Sequence, residues 1–200
     1  PFNLSNWGQS QLRNDVRWKY GIPPAGNANY AWIQHMIHHL APNGKIGLVL
    51  ANGSLSTQSS GEGEIRKNII NADLVEGIVA LPTQLFYSVT IPVTLWFISK
   101  NKKQKGKTLF IDARKMGTMV TRKHRDFSEE DIRKLADAFE AFQKGSLEEI
   151  RGFCAIADLE TIKRQDYILT PGRYVGIEEQ EDDGEPFEEK MARLTSDMSG

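Results

Sequence analysis

The chain has 200 residues, of which 40% are hydrophobic and 26% charged, and these ordinary proportions exclude a disordered or fibrous protein. Its 25 Lys and Arg residues are balanced by 26 Asp and Glu residues, whereas a domain that grips duplex DNA unaided usually has a basic excess. The longest apolar run, residues 91–98, is too short to span a membrane. A single cysteine, Cys154, cannot form an internal disulfide, which predicts a reducing compartment. The polar, uncharged residues 1–10 predict neither a signal nor a transit peptide.

The chain opens with a loop and a helix. Residues 3–26 show no sustained period, but three large aromatic side chains argue against disorder and predict an ordered loop over a site: Trp7, Trp18 and Tyr20. Residues 28–40 carry apolar side chains at helical spacing, which predicts one buried stripe: Tyr30, Ile33, Ile37 and Leu40. Asn27 or Asn29 is expected to cap the amino end of this helix.

The middle of the chain predicts an α/β sheet. Short apolar runs that are bounded by turn residues predict strands at 45–50, 74–81, 91–99 and 108–111, with a helix at 62–71. The runs are continuous rather than alternating, which is typical of a parallel sheet covered on both faces. Only nine residues separate the second and third strands, too few for a parallel crossover. We therefore expect the third strand to run antiparallel and the sheet to end in an antiparallel hairpin.

The last third of the chain changes character. The residues from Ser128 to Asp131 form a capping box before a helical stripe that ends at Gly145: Ile132, Leu135, Phe139 and Phe142. Residues 147–168 show no clear pattern. Six acids in residues 178–185 predict a solvated linker, and a second helical stripe follows it: Phe187, Met191, Leu194 and Met198. We expect three parts, at 1–120, 121–177 and 178–200.

Two aromatic segments are candidates for ligand chemistry. Pro1, Phe2 and Asn3 form a tripeptide that occurs by chance, but it lies directly before a loop and a helix, where a doubly wound sheet binds its ligands. Phe86 and Tyr87 fall in the connection between the second and third strands. They predict either a hydrophobic plug under the edge of the sheet or a wall against a planar ligand.

The titratable residues give weaker signals. His35, His38 and His39 lie on the face opposite the apolar stripe of their helix, and only His124 and Cys154 offer a further metal ligand, so we predict no metal site. Cys154 has no close basic neighbour in the sequence and is expected to be buried packing.

Two basic runs stand out in the sequence. Five lysines in residues 100–107 predict a solvated hairpin turn between two strands. Residues 122–125 (RKHR) predict a loop before a capped helix, in a position to meet phosphate.

Several segments in order resemble a known family: ANYAWIQHMIHHLAPNGKIGLVLANGSLS, GEGEIRKNII, DLVEGIVALPTQLFYS, IPVTLWFISK, LFIDARKMG, DIRKLADAFEAF and YILTPGRYVG. They are similar to the modification subunit of type I restriction–modification systems, a DNA adenine-N6 methyltransferase. The resemblance implies a Rossmann-like fold that uses S-adenosyl-L-methionine, followed by a helical carboxyl-terminal extension, in a cytoplasmic bacterial or archaeal protein.

The resemblance also assigns roles to residues. The family has an (Asn/Asp)-Pro-Pro-(Phe/Tyr) motif, whose last two positions match Pro1 and Phe2 as catalytic residues. Phe2 would stack on a flipped adenine, with Phe86 or Tyr87 as a second wall. The residues that bind the methyl donor would lie upstream of Pro1, so the chain would be a carboxyl-terminal fragment that is inactive alone.

The implied partners are DNA, a specificity subunit and a restriction subunit. The stripe at 187–198 would bind the specificity subunit, although by its pattern it fits equally a helix that folds back on its own domain. Two alternatives stay open, namely another methyl acceptor such as RNA or protein, and a non-catalytic assembly module that binds the specificity subunit.

Overall fold

The computed structural model describes residues 3–87 and 89–177, which form a mixed α/β structure. Their bounds, in chain order, are α1 Asn29–His39, β1 Lys45–Ala51, α2 Glu62–Asn71, β2 Val75–Ala80, β3 Val93–Ser99, β4 Lys107–Asp112, β5 Thr118–Thr121, β6 His124–Asp126, α3 Glu129–Lys144, β7 Cys154–Asp158, α4 Leu159–Arg164 and α5 Gly172–Val175. Two short 3₁₀ helices, Asn52–Leu55 and Ser59–Gly61, follow β1. The predicted positions of α1, α2 and β1 to β4 are confirmed to within two residues.

The main sheet of the described residues has the order β1-β3-β2-β4-β7. β3 is antiparallel to both β1 and β2, which confirms its predicted direction, whereas β2 and β4 are parallel and β7 is antiparallel to β4. The prediction of a parallel sheet that ends in a hairpin is wrong, because the β2–β3 hairpin lies at the centre of a mixed sheet. The crossover through α2 places β1 and β2 parallel to each other but not adjacent, and β3 lies between them.

Helices cover both faces of this sheet, as predicted. On one face, α1 and α2 pack with α4 and α5 on strand residues that include Ile78 and Phe110. On the other face, Phe142 of α3 packs on Val79 and Leu109. Adjacent strand residues alternate between the two clusters, so β2 is buried along its whole length.

α3 begins and ends as its sequence predicts. Ser128 Oγ accepts a hydrogen bond from the Asp131 amide at 3.1 Å, and Asp131 Oδ2 accepts one from the Ser128 amide at 2.9 Å. Gly145 ends the helix with a φ of +75°, which a residue with a Cβ adopts only with strain. The predicted stripe is buried unevenly, since Phe142 is fully enclosed while Ile132 is 55% exposed.

The structure corrects the predicted geometry of both basic runs in part. Residues 100–106 do not form a hairpin turn, because β3 and β4 are not neighbours and the chain must pass the end of β2. Lys102 is buried there and bonds Asp73 at 2.5 Å, so it is not solvated. In the second run, Arg122 and Lys123 form the turn of the two-stranded β5–β6 hairpin, whereas His124 and Arg125 lie in β6 and not in a loop.

β7 was missed in the sequence because CAIAD is short and its alanines have little strand preference. It extends the sheet beyond residue 120 by pairing with β4. The division into parts at 120 and 177 remains a prediction, and residues 178–200 lie outside the described chain. Within the described ranges, no helix is long and apolar enough to cross a membrane.

Candidate active site at the carboxyl edge of the sheet

The carboxyl ends of β1, β2 and β4 meet at one edge of the sheet, since these three strands run in the same direction. The segments that leave this edge are the 3₁₀ turn at Asn52–Leu55, the connection at 81–92 and the β5–β6 hairpin. The amino end of α1 joins them, because Tyr30 Oη donates to the Ser54 carbonyl at 2.6 Å. Open sheets bind ligands at this edge.

Asn3 is anchored on the amino end of α1. Its amide donates to Asn29 Oδ1 at 3.1 Å, and its Oδ1 accepts from Asn29 Nδ2 at 2.9 Å and from Asn27 Nδ2 at 3.1 Å. The predicted catalytic residues Pro1 and Phe2 lie outside the described residues. The chain directly after them is therefore fixed at the carboxyl edge by three amide hydrogen bonds.

The role of Asn29 was missed in the sequence. Asn29 was considered as a cap, but it lies inside the helix, where it is 2% exposed. Its amide donates to Asn27 Oδ1 at 2.9 Å, so Asn27 does support the start of the helix. The sequence signal that could have indicated this role was the presence of Asn27 and Asn29 at the start of the helix, together with Asn3 directly after Phe2.

The loop at 3–28 is ordered, as predicted. Trp7 and Trp18 pack edge to face with their ring centroids 5.7 Å apart, and their indole N–H groups donate to Pro24 and Leu12 carbonyls. They line a cavity of about 240 Å³ together with Leu4 and Arg17 of the loop and with Trp32 and His35 of α1. Whether this loop covers a site remains a prediction.

The histidines of α1 are packed with one another and with the loop. His35 Nδ1 lies 3.0 Å from Arg17 Nη1, and the rings of His35 and His39 are 4.4 Å apart. Burial lowers the pKa of His35, and the positive charges around it lower the pKa further. Among residues 3–87 and 89–177, no group of three His, Cys, Asp or Glu side chains is arranged to hold a metal ion.

Phe86 and Tyr87 lie in the connection that leaves β2, and neither fills the edge of the sheet. Phe86 is 38% exposed and Tyr87 is 90% exposed, while Leu81 is buried and Leu85 and Val89 pack against the core. The ring of Tyr87 stacks on His124 at 4.1 Å with an interplanar angle of 10°. The plug is therefore made by the leucines, and the aromatic pair is left accessible.

A buried polar cluster beneath this edge was not visible in the sequence. Trp96 Nε1 donates to Ser54 Oγ at 3.1 Å, and Arg66 donates to the Thr57 and Tyr167 carbonyls at 2.6 and 2.8 Å. Burial raises the pKa of Tyr30 above its usual range. The cluster ties the 3₁₀ turn, α2 and the segment before α5 into one unit.

Cys154 and the last apolar stripe are the remaining predicted features. Cys154 is buried, and burial raises the pKa of its thiol, which confirms the predicted packing role. The stripe predicted to bind a partner lies outside the described residues: Phe187, Met191, Leu194 and Met198.

Comparison with known proteins relates the chain to one family. The family model of N-6 DNA methylases matches residues 1–183. The type I restriction enzyme HindI methylase subunit of Haemophilus influenzae is 59% identical over 196 residues, which cover 98% of this chain and 44% of that protein. The MjaIX methylase subunit of Methanocaldococcus jannaschii is 47% identical, over 99% of this chain and 37% of that protein.

A solved structure agrees with these relatives. The methyltransferase subunit of the type I restriction–modification system from Streptococcus thermophilus superimposes with a TM-score of 0.78 at 27% identity, over 88% of this chain and 36% of that one. The chain thus spans less than half the length of the relatives it matches.

Proposed function

Because the chain belongs to the N-6 DNA methylase family, we propose that it forms part of the modification subunit of a type I restriction–modification system. The subunit transfers a methyl group from S-adenosyl-L-methionine to N6 of an adenine in DNA, on a Rossmann-like sheet. The observation that carries the proposal is the family match over residues 1–183, which includes Pro1 and Phe2. The anchoring of Asn3 at the carboxyl edge supports it, because it fixes the chain next to this pair.

The chemistry explains why these residue types are needed. The exocyclic amine of adenine is a poor nucleophile because its lone pair is delocalised into the ring. Acceptors from the motif direct that lone pair toward the methyl group, once the base has been flipped out of the duplex. Phe2 stacks on the flipped base, and the accessible Phe86 or Tyr87 gives a second wall. Holding base and donor in line makes the transfer effectively unimolecular.

We assign none of the described residues to the binding of the methyl donor. Asp112, at the end of β4, forms a bidentate ion pair with Arg114 two residues later. The family resemblance implies that the donor site lies in the part of the subunit that precedes Pro1, so we expect the chain alone to be inactive.

Partner subunits provide the DNA binding that the near-neutral charge of this chain does not provide. A net charge of −1 is low for a protein that grips duplex DNA alone, so the specificity subunit supplies much of the sequence reading and the grip. The apolar stripe Phe187, Met191, Leu194 and Met198 binds that subunit, and a restriction subunit completes the complex.

The test is methyl transfer by the full-length subunit, assembled with its specificity subunit, to duplex DNA with a labelled donor. Digestion of the DNA to nucleosides identifies the product, and we expect N6-methyladenine. Phe2→Ala should lower kcat/KM by about 5- to 150-fold, the value of one aromatic–base stack, while Phe2→Tyr retains the ring and most of the activity. A methylated cytosine, RNA or protein would contradict the proposal.

The assembly role is tested separately by capture of the specificity subunit. Leu194→Asp with Met198→Asp should abolish capture, whereas Ala192→Asp with Ser196→Asp adds the same charge off the stripe and should retain it. Capture without any methyl transfer by the wild-type subunit would favour the non-catalytic assembly module. Capture retained by both variants would contradict the assignment of the stripe.

A further inference from the structure

The β5–β6 hairpin presents a dense positive charge at the carboxyl edge. Residues 113–125 contain five Lys and Arg residues and no Asp or Glu, in a chain whose net charge is −1. Arg122 and Lys123 form the turn of the hairpin, and both are exposed. Within the described chain, neither side chain forms a hydrogen bond or an ion pair. Two cations at the tip are therefore available to a ligand from outside.

The hairpin is fixed at its base. Arg125 Nη1 donates to the Met116 and Gly117 carbonyls at 3.1 and 2.7 Å, which closes the segment that enters β5. The Arg125 amide donates to the Gln84 carbonyl at 2.9 Å, which ties the hairpin to the connection that carries Phe86 and Tyr87. The two cations are thus held in a set position relative to the aromatic pair.

His124 joins the tip to Tyr87 directly. It follows Lys123 in the chain, and one face of the Tyr87 ring stacks on it while the side chain stays 90% exposed. An open aromatic face beside two unpaired cations fits a ligand with planar bases and a polyanionic backbone, which is the composition of a nucleic acid.

We propose that the β5–β6 hairpin is a DNA contact in which Arg122 and Lys123 bind backbone phosphates beside the target adenine, while His124 supports Tyr87 against the bases. The inference rests on the proposed function, because it takes DNA as the substrate. It adds a site for the strand next to the flipped base, on residues of this chain rather than of the specificity subunit.

The test measures DNA affinity of the full-length subunit, in complex with its specificity subunit and without methyl donor, over a range of salt concentrations. Each phosphate contact contributes a slope of about −0.9 to log K against log salt. Arg122→Ala with Lys123→Ala should reduce the steepness by about 1.8 and lower the affinity at 0.15 M salt by about 30-fold. Both side chains are exposed, so the thermal unfolding midpoint should not change.

The matched control removes two exposed lysines from the opposite edge of the sheet. Lys103→Ala with Lys105→Ala deletes the same charge in the segment between β3 and β4, and it should leave the slope unchanged. An unchanged slope in the hairpin variant, or an equal loss in the control, would overturn the hairpin contact. Failure of the hairpin variant to assemble with the specificity subunit would also overturn it, since the hairpin would then bind protein.

The outcomes also separate this inference from the proposed function. A wild-type complex that methylates adenine while the hairpin variant keeps the wild-type slope overturns the contact alone. A wild-type complex that does not bind DNA overturns both.

Discussion

The guanidinium of Arg66 gives the sharpest test of how this fold is held together. Arg66 is fully buried, and it donates from Nε to the Tyr167 carbonyl at 2.8 Å and from Nη1 to the Thr57 carbonyl at 2.6 Å. It therefore bridges α2, the turn after β1 and a segment a hundred residues later in the chain. We expect Arg66→Met to break this bridge while the methionine fills most of the vacated volume.

The magnitude follows from the bonds that are lost. A hydrogen bond from a charged donor contributes about 1.5 to 3 kcal/mol, so two such bonds predict a loss of about 3 kcal/mol or more. Removing the buried charge recovers part of its desolvation cost. However, it also leaves the neighbouring Glu62 without the positive charge that acts on it, which offsets the recovery. About 3 kcal/mol is a large share of the stability of a small domain.

The assay is urea unfolding at pH 7, followed by circular dichroism. Lys67→Met is the control, because it removes a cation from the next position of the same helix, where the side chain is 41% exposed, forms an ion pair with Glu64 and lies 6.0 Å from the centre of the Tyr167 ring without a hydrogen bond to that segment. The control should change the unfolding free energy by less than about 1 kcal/mol.

Hydrogen exchange gives a local readout of the same change. The Leu169 amide donates to the Leu55 carbonyl at 3.0 Å and should lose protection in Arg66→Met before the amides of β2 do. A loss of stability no greater than in Lys67→Met, or unchanged protection at Leu169, would refute the bridging role.

Three further predictions concern single side chains. Tyr87→Ala should leave the unfolding free energy within about 0.5 kcal/mol, because Tyr87 is 90% exposed, yet lower kcat/KM for methyl transfer by about 5- to 150-fold. Tyr87→Phe should keep both values near wild type, and an equal loss in it would exclude stacking. Burial raises the pKa of Glu62, so the folded state favours its protonated form and the wild type should lose stability, relative to Glu62→Gln, as the pH rises above about 4.3. Urea unfolding at pH 4 and pH 7 measures this, and a gap that does not change with pH would contradict it. Ser128→Ala should cost about 1 kcal/mol through loss of the capping box, whereas Ser128→Thr keeps the hydroxyl and should cost less.

The local elements could be predicted because their signals come from near neighbours. The stripe at Tyr30, Ile33 and Ile37 and the capping box at Ser128 depend on residues within a few positions, and the structure confirms both. The direction of β3 was equally accessible, because nine linking residues cannot form a crossover. The series of family segments added the methylase assignment, which the family match over residues 1–183 supports.

Parts of the candidate site could not be predicted, because each depends on residues that are distant in the chain. Asn29 was considered as a cap, yet it anchors Asn3, 26 positions earlier. For Phe86 and Tyr87, the sequence left open a hydrophobic plug or a wall against a ligand. The stacking of Tyr87 on His124 shows that Tyr87 does not plug the sheet. No local sequence pattern indicates such contacts, because each of these residue types also occurs in turns, in helix caps and on exposed surfaces.

The sequence by itself thus determined the positions of α1 to α3 and of β1 to β4, the direction of β3 and the family that the chain resembles. Only the tertiary structure decided the strand order, because β3 pairs with β1 at Lys45 and Ser99, residues that no local period connects. It also decided the burial of Lys102, which the lysine run predicts to be solvated, and of Arg66, whose hydrogen-bond partner Tyr167 is 101 positions away. The physical reason is that hydrophobic periodicity depends only on which side chains of one segment are buried. Strand order and the burial of a charged side chain depend instead on pairing and hydrogen-bond partners that are distant in the chain.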